Sequence, residues 1–139
     1  MSKELFLLDT HVWLRYQVST QSLRPQVEDS LDEAAERHGV FISVISIWEL
    51  AMLERAGYVD LEGGVGRWSE QALSKPGITL LPLSPEIAIE SVHLPSPMHK
   101  DPADRILVGS ARVEGLTLVT SDKAILAFAK TTKLACLRA

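Results

Sequence analysis

Residues 4–17 read ELFLLDTHVWLRYQ: a short apolar run, one acid, then a stretch of mixed character. ELFLL has the length and composition of a buried strand. Asp9 stops it, and residues 10–17 follow as a short helix with Asp9 or Thr10 as its cap. The same grammar returns near the other end, where LTLVT (116–120) precedes Ser121-Asp122 and a helix over 121–130. A strand that runs into an acid and then a helix is half of a β-α-β unit.

The segments between these two fit the same alternation. Pro25 sits in the first turn of a helix reaching about His38, with Gly39 as its C′ stop. VFIS (40–43) is a strand, and residues 44–56 are helical up to Gly57. Gly63, Gly64 and Gly66 mark a loop before a helix over 67–74. Pro76-Gly77 is a turn ahead of the strand ITLLPL (78–83), and a helix over 85–92 begins behind Pro85. Pro95, Pro97 and Pro102 make 94–101 a stiff loop, followed by a helix over 102–114 stopped at Gly115. KLACL (133–137) closes the chain as a short strand. The expected fold is α/β: one domain over 1–139, a doubly wound, mainly parallel sheet of four to five strands, helices on both faces.

The bulk numbers exclude several classes. The 139 residues are 46% hydrophobic and 23% charged, ordinary for a globular domain. No apolar stretch is long enough to span a bilayer, and LFLL before Asp9 is too short for a secretory signal. Cys136 is the single cysteine, which excludes an intrachain disulfide framework and any cysteine zinc site. The cytoplasm is the expected compartment. A net charge of −4 argues against a protein that simply coats nucleic acid. The charge is uneven, with 7 Lys/Arg against 14 Asp/Glu in residues 1–99 and 7 against 4 in residues 100–139.

Four acids lie at the edges of apolar runs: Asp9, Glu49, Asp104 and Asp122. In an open parallel sheet, the carboxyl ends of the strands are where ligands bind. Each acid also has a plainer role. Asp9 and Asp122 fit N-caps, and Asp101-Pro102-Ala103-Asp104 is a strong helix start with Asp101 as its cap. Ser46 and Glu49 have capping-box spacing if a helix starts at Ser46. Glu49 is the hardest to explain so, because ISVISIWELAML surrounds it with apolar residues and a bare buried carboxylate is costly. Carboxylates gathered at one edge repel, and a divalent cation reverses the sign. Oxygen donors favour Mg²⁺ or Mn²⁺ over zinc. Thr10, Ser46, Thr120 and Ser121 are placed to orient these acids or to cap helices. His11 and His99 are candidates for phosphate or metal contact, although surface hydrogen bonding is the commoner role for such a His. Arg105, Arg112 and Lys123 follow the acidic segments and are candidate contacts for substrate phosphate, with ion pairing as the alternative.

Four segments, LLDTHVWL (7–14), SVISIWELAML (43–53), HKDPADRILVGSA (99–111) and LTLVTSD (116–122), together resemble the PIN-domain family and, within it, VapC-type toxins of type II toxin–antitoxin pairs. The resemblance implies a Mg²⁺- or Mn²⁺-dependent endoribonuclease that hydrolyses RNA phosphodiester bonds. It places the family's acids on Asp9, Glu49, Asp104 and Asp122 as catalytic and metal-binding residues, with Asp101 as a secondary candidate. It also implies a cognate VapB-like antitoxin and a homodimer. A catalytically inert PIN-like module for protein binding is the main rival. A phosphorelay receiver fits less well, because Asp9 stands alone and ITLLPLSPE offers no acceptor Asp.

Overall fold

The computed structural model describes residues 3–18, 23–95 and 98–139. Five strands, β1 (Phe6–Leu8), β2 (Val40–Ser43), β3 (Ile78–Leu81), β4 (Thr117–Thr120) and β5 (Cys136–Arg138), form one sheet in the order β3-β2-β1-β4-β5. All four pairings are parallel. Seven helices connect or flank them: α1 (Thr10–Gln17), α2 (Pro25–Ala35), α3 (Val44–Arg55), α4 (Gly64–Leu73), α5 (Pro85–Val92), α6 (Pro102–Glu114) and α7 (Lys123–Thr131).

The period-two alternation of β1 assigns the helices to faces. Phe6 and Leu8 point into one core with Val12, Trp13, Leu31, Leu50 and Ala72 from α1 to α4. Leu7 points into the other, with Leu107, Val108, Ile125 and Phe128 from α6 and α7. The strand is buried throughout, so it carries no polar alternation and reads as a solid apolar run. The sheet is doubly wound, as the alternation of segments predicts. Its order reverses between β1 and β4, and that crevice is the topological switch point.

Several local details differ from expectation. The left-handed residue that ends α2 is His38 (φ 59°), not Gly39. His38 N–H donates to Ala35 O and Gly39 N–H to Ala34 O, a Schellman pair. Gly39 serves instead for close approach, since a Cβ there would sit 3.0 Å from Ala34 O. Gly77 does take a positive φ, and a side chain there would collide with the Ala35 backbone. Helix α4 starts at Gly64, earlier than the glycine cluster suggests. The third strand ends before Pro82, which has no N–H for a ladder. The last strand is Cys136–Arg138 rather than 133–137. The capping-box reading of Ser46 and Glu49 fails: Ser43 caps α3, its hydroxyl accepting from Ile45 N–H at 3.1 Å. Glu49 therefore lies in the second turn. Pro97, one of the prolines of the predicted stiff loop, lies outside the described residues. Among the described residues no helix is long and apolar enough to cross a membrane.

Candidate metal centre

The switch point is flanked by the two strand ends that carry acids. Asp9 follows β1 and caps α1; its Oδ1 accepts from Thr10 N–H at 2.7 Å. Asp122 follows β4 and caps α7, accepting from Ile125 N–H at 3.0 Å. The fully buried Thr120 ties the two together. Its hydroxyl donates to Asp9 Oδ2 at 2.7 Å and accepts from Asp122 N–H at 2.9 Å. Behind them, Thr10 Oγ1 donates to Ser46 Oγ at 2.8 Å, with both residues buried, and fastens α1 to α3. That fixes the helix from which Glu49 projects. On the opposite bank Asp101 caps α6, accepting from Asp104 N–H at 3.0 Å. Asp104 is the more shielded of these two acids.

These parts enclose an open cavity of about 460 Å³ lined by Asp9, His11, Arg15, Glu49, Asp101, Asp104, Ser121 and Asp122. All four predicted acids and the secondary candidate Asp101 thus face one space. Caps and cavity lining coexist here, because a carboxylate has two oxygens and a cap uses one.

The electrostatics follow from the crowding. Burial pushes the Asp9 carboxyl up, against hydrogen bonds from Thr120 and Thr10 and the charge of His11. Burial also raises Glu49, with Asp9 and Asp101 adding repulsion. Asp104 is pushed up to about 8, first by burial and then by Asp9, Asp101, Asp122 and Glu49. Burial and mutual repulsion both disfavour the charged carboxylates, and a divalent cation would offset both. His99, Asp104 and Asp122 each offer one ligand atom within 4.8 Å of the other two. The donor set fits a divalent ion: a His/Asp cluster, with further carboxylates of the same cavity around it.

The predicted RNA contacts are not gathered at the cavity. Arg105 turns inward: its Nε donates to Ser91 O at 2.9 Å, Nη1 to His99 O at 3.0 Å and Met98 O at 3.3 Å, and Nη2 to Val92 O at 3.2 Å. Arg112 pairs with Glu90 at 2.8 Å, beside a separate depression that Lys133 also lines. Lys123 is exposed at the start of α7. Arg112 takes the ion-pair alternative, whereas Arg105 binds backbone carbonyls, which neither reading of it anticipated. The cation that does line the cavity is Arg15, which nothing in the sequence pattern singled out. Its Nη2 donates to Ser121 Oγ at 2.8 Å, across 106 residues of sequence. The only sequence hint is its place on α1, two turns after Asp9. Trp13 packs edge-on against Trp68 with centroids 5.0 Å apart, a core role, whereas Trp48 is half exposed.

A parallel five-stranded sheet with acids converging on the β1/β4 crevice defines a class that comparison makes specific. The sequence matches the PIN domain over residues 6–133. It is 31% identical over 117 residues to Ribonuclease VapC22 of Mycobacterium tuberculosis, covering 84% of this chain and 86% of that protein. The fold is similar to the crystal structure of VapBC2 from Rickettsia felis bound to a DNA fragment from their promoter: TM-score 0.70, 16% identity, 96% of this chain and 98% of that one. It is also similar to FitAcB from Neisseria gonorrhoeae: TM-score 0.66, 20% identity, 96% of each chain. The chain belongs to the PIN-domain family. Within that family it is related to the VapC-type toxins of toxin–antitoxin systems.

Proposed function

We propose that this protein is a Mg²⁺- or Mn²⁺-dependent endoribonuclease and the toxin of a VapBC-type pair, working in the cytoplasm. The observation that carries the reading is the cavity at the switch point, with Asp9, Glu49, Asp104 and Asp122 on its walls and Asp101 at its edge. An ion bound there would supply electrophilic activation of a phosphoryl oxygen and would lower the pKa of a bound water. Asp9, Glu49, Asp104 and Asp122 are the residues that would hold it, with His99 beside Asp104.

The chain's own groups have separable tasks. Asp9 is clamped by Thr120 and Thr10, which hold its carboxylate in place at the cavity wall. Asp104 is the most strongly raised acid and is the group through which protons compete with a cation. Arg15 places a guanidinium, and His11 an imidazole, on the cavity wall where an RNA phosphate would enter. A VapB-like antitoxin as partner is supported by the toxin–antitoxin complexes whose fold this chain shares. A homodimer is part of the same reading. The test is RNA cleavage by the purified chain in Mg²⁺ or Mn²⁺, with activity lost in excess chelator. Undiminished cleavage in chelator, by protein free of contaminating nuclease, would exclude the metal-dependent reading.

A further inference from the structure

We propose that His99 is itself a ligand of the ion held at this centre, and that it biases the site toward Mn²⁺ over Mg²⁺; the inference rests on the metal-dependent reading above. The imidazole Nε2 lies 3.2 Å from Asp104 Oδ2, and a donor atom of Asp122 completes a triad within 4.8 Å. Donors that share one ion, with bonds of about 2.1 Å, stand no more than roughly 4.2 Å apart, so small side-chain movements close the set. His99 Nε2 is buried, and apart from the neighbouring carboxylate it has no hydrogen-bond partner. It is a buried polar atom beside Asp104 that no hydrogen bond satisfies.

The loop that presents His99 is held in place. Arg105 donates to His99 O and Met98 O from one side and to Ser91 O and Val92 O from the other. It thereby latches the end of α5 and the following loop onto α6, the helix that carries Asp104. Arg105 is thus a positioning residue for the ligand loop. The ring has its own anchor: Nδ1 accepts from Asp101 N–H at 3.3 Å, which puts the ring hydrogen on Nε2. Binding an ion at Nε2 moves that hydrogen to Nδ1 and gives up the contact with Asp101 N–H, which is already long. The ring's net proton count is unchanged.

Ion preference follows from donor chemistry. Mg²⁺ prefers oxygen donors and keeps its waters. Nitrogen donors strengthen binding of first-row transition ions. A site of carboxylates plus one imidazole therefore gains more for Mn²⁺ than for Mg²⁺.

The experiment is Mn²⁺ binding read by pulsed electron paramagnetic resonance and by calorimetry, on the full chain and on His99→Ala, with Mg²⁺ titrated in parallel. Imidazole ¹⁴N coupling to bound Mn²⁺ is expected in the wild type and absent from the variant. Mn²⁺ affinity should fall about tenfold or more in the variant, with a much smaller change for Mg²⁺. The spectroscopic result on the wild type stands even where the variant folds poorly. Bound Mn²⁺ without nitrogen coupling overturns the inference, as does an equal loss for both ions, and either leaves the metal-dependent reading intact. A wild type that binds neither ion overturns both.

Discussion

Thr120 does for two acids what two separate residues would otherwise do. Its hydroxyl donates to Asp9 and accepts from the Asp122 backbone, in a place with no solvent. Thr120→Val keeps the shape and strands both partners, so stability should fall by about 1–3 kcal/mol in a denaturant titration. Metal affinity should fall with it, because Asp9 loses a bond that favours its charged form. Asp104 sets a pH dependence whose sign is opposite to that of a salt-bridged acid. Its carboxyl titrates near 8 when folded, against an ordinary value of 3.8, so the native state holds the proton more tightly than the unfolded chain. Its contribution therefore favours folding less and less as pH rises from about 4, and is most adverse above 8. Without metal, the melting temperature should be lower at pH 8.5 than at pH 6. Asp104→Asn should flatten that difference and raise stability at pH 8.5 by about 1–2 kcal/mol, a figure discounted for the solvent the carboxyl keeps. A profile unchanged by the substitution would assign the pH dependence to other groups.

At the level of elements, the four acid-bearing segments were legible because each couples a solid apolar run to a turn signal. LFLLD and LTLVTSD announce strand ends at the switch point, and DPADR announces a helix start. What was not legible were long-range partners. Arg105 sits next to Asp104 in sequence and suggests substrate contact, yet its side chain leaves the cavity for carbonyls 6 to 14 residues upstream. Arg15 gives the opposite lesson, since its link to Ser121 spans 106 residues. For His99 the sequence offered both metal or phosphate contact and surface hydrogen bonding, and its nearness to Asp122 could not be read because that acid is far away in sequence. Gly39 was misjudged for a local reason: the helix stop it suggests is made by His38, and the glycine answers a packing demand. Arg105→Gln should therefore act on the α5–α6 junction, costing about 2–3 kcal/mol through lost charge-assisted bonds. Lys123→Gln, on an exposed first turn, should cost little stability. Equal stability of the two variants would contradict the latch.

On the scale of the molecule, the proposed function asks a protein of net charge −4 to hold a polyanion with a pocket of acids at its centre. Without a cation that pocket repels phosphate, so affinity for an uncleavable RNA should rise as Mn²⁺ is added. The remaining attraction should come from few side chains. Arg15→Gln should reduce the salt slope by about one unit if it contacts a phosphate, while Arg112, paired with Glu90, should contribute little. The most direct test of the account is the RNA cleavage rate at saturating Mn²⁺ for Asp9→Asn, Glu49→Gln, Asp104→Asn and Asp122→Asn, each confirmed folded by its circular dichroism spectrum. A loss of about a hundredfold or more is expected in every one, because the proposed metal centre draws on all four. Near wild-type rates in two or more of these folded variants would contradict it.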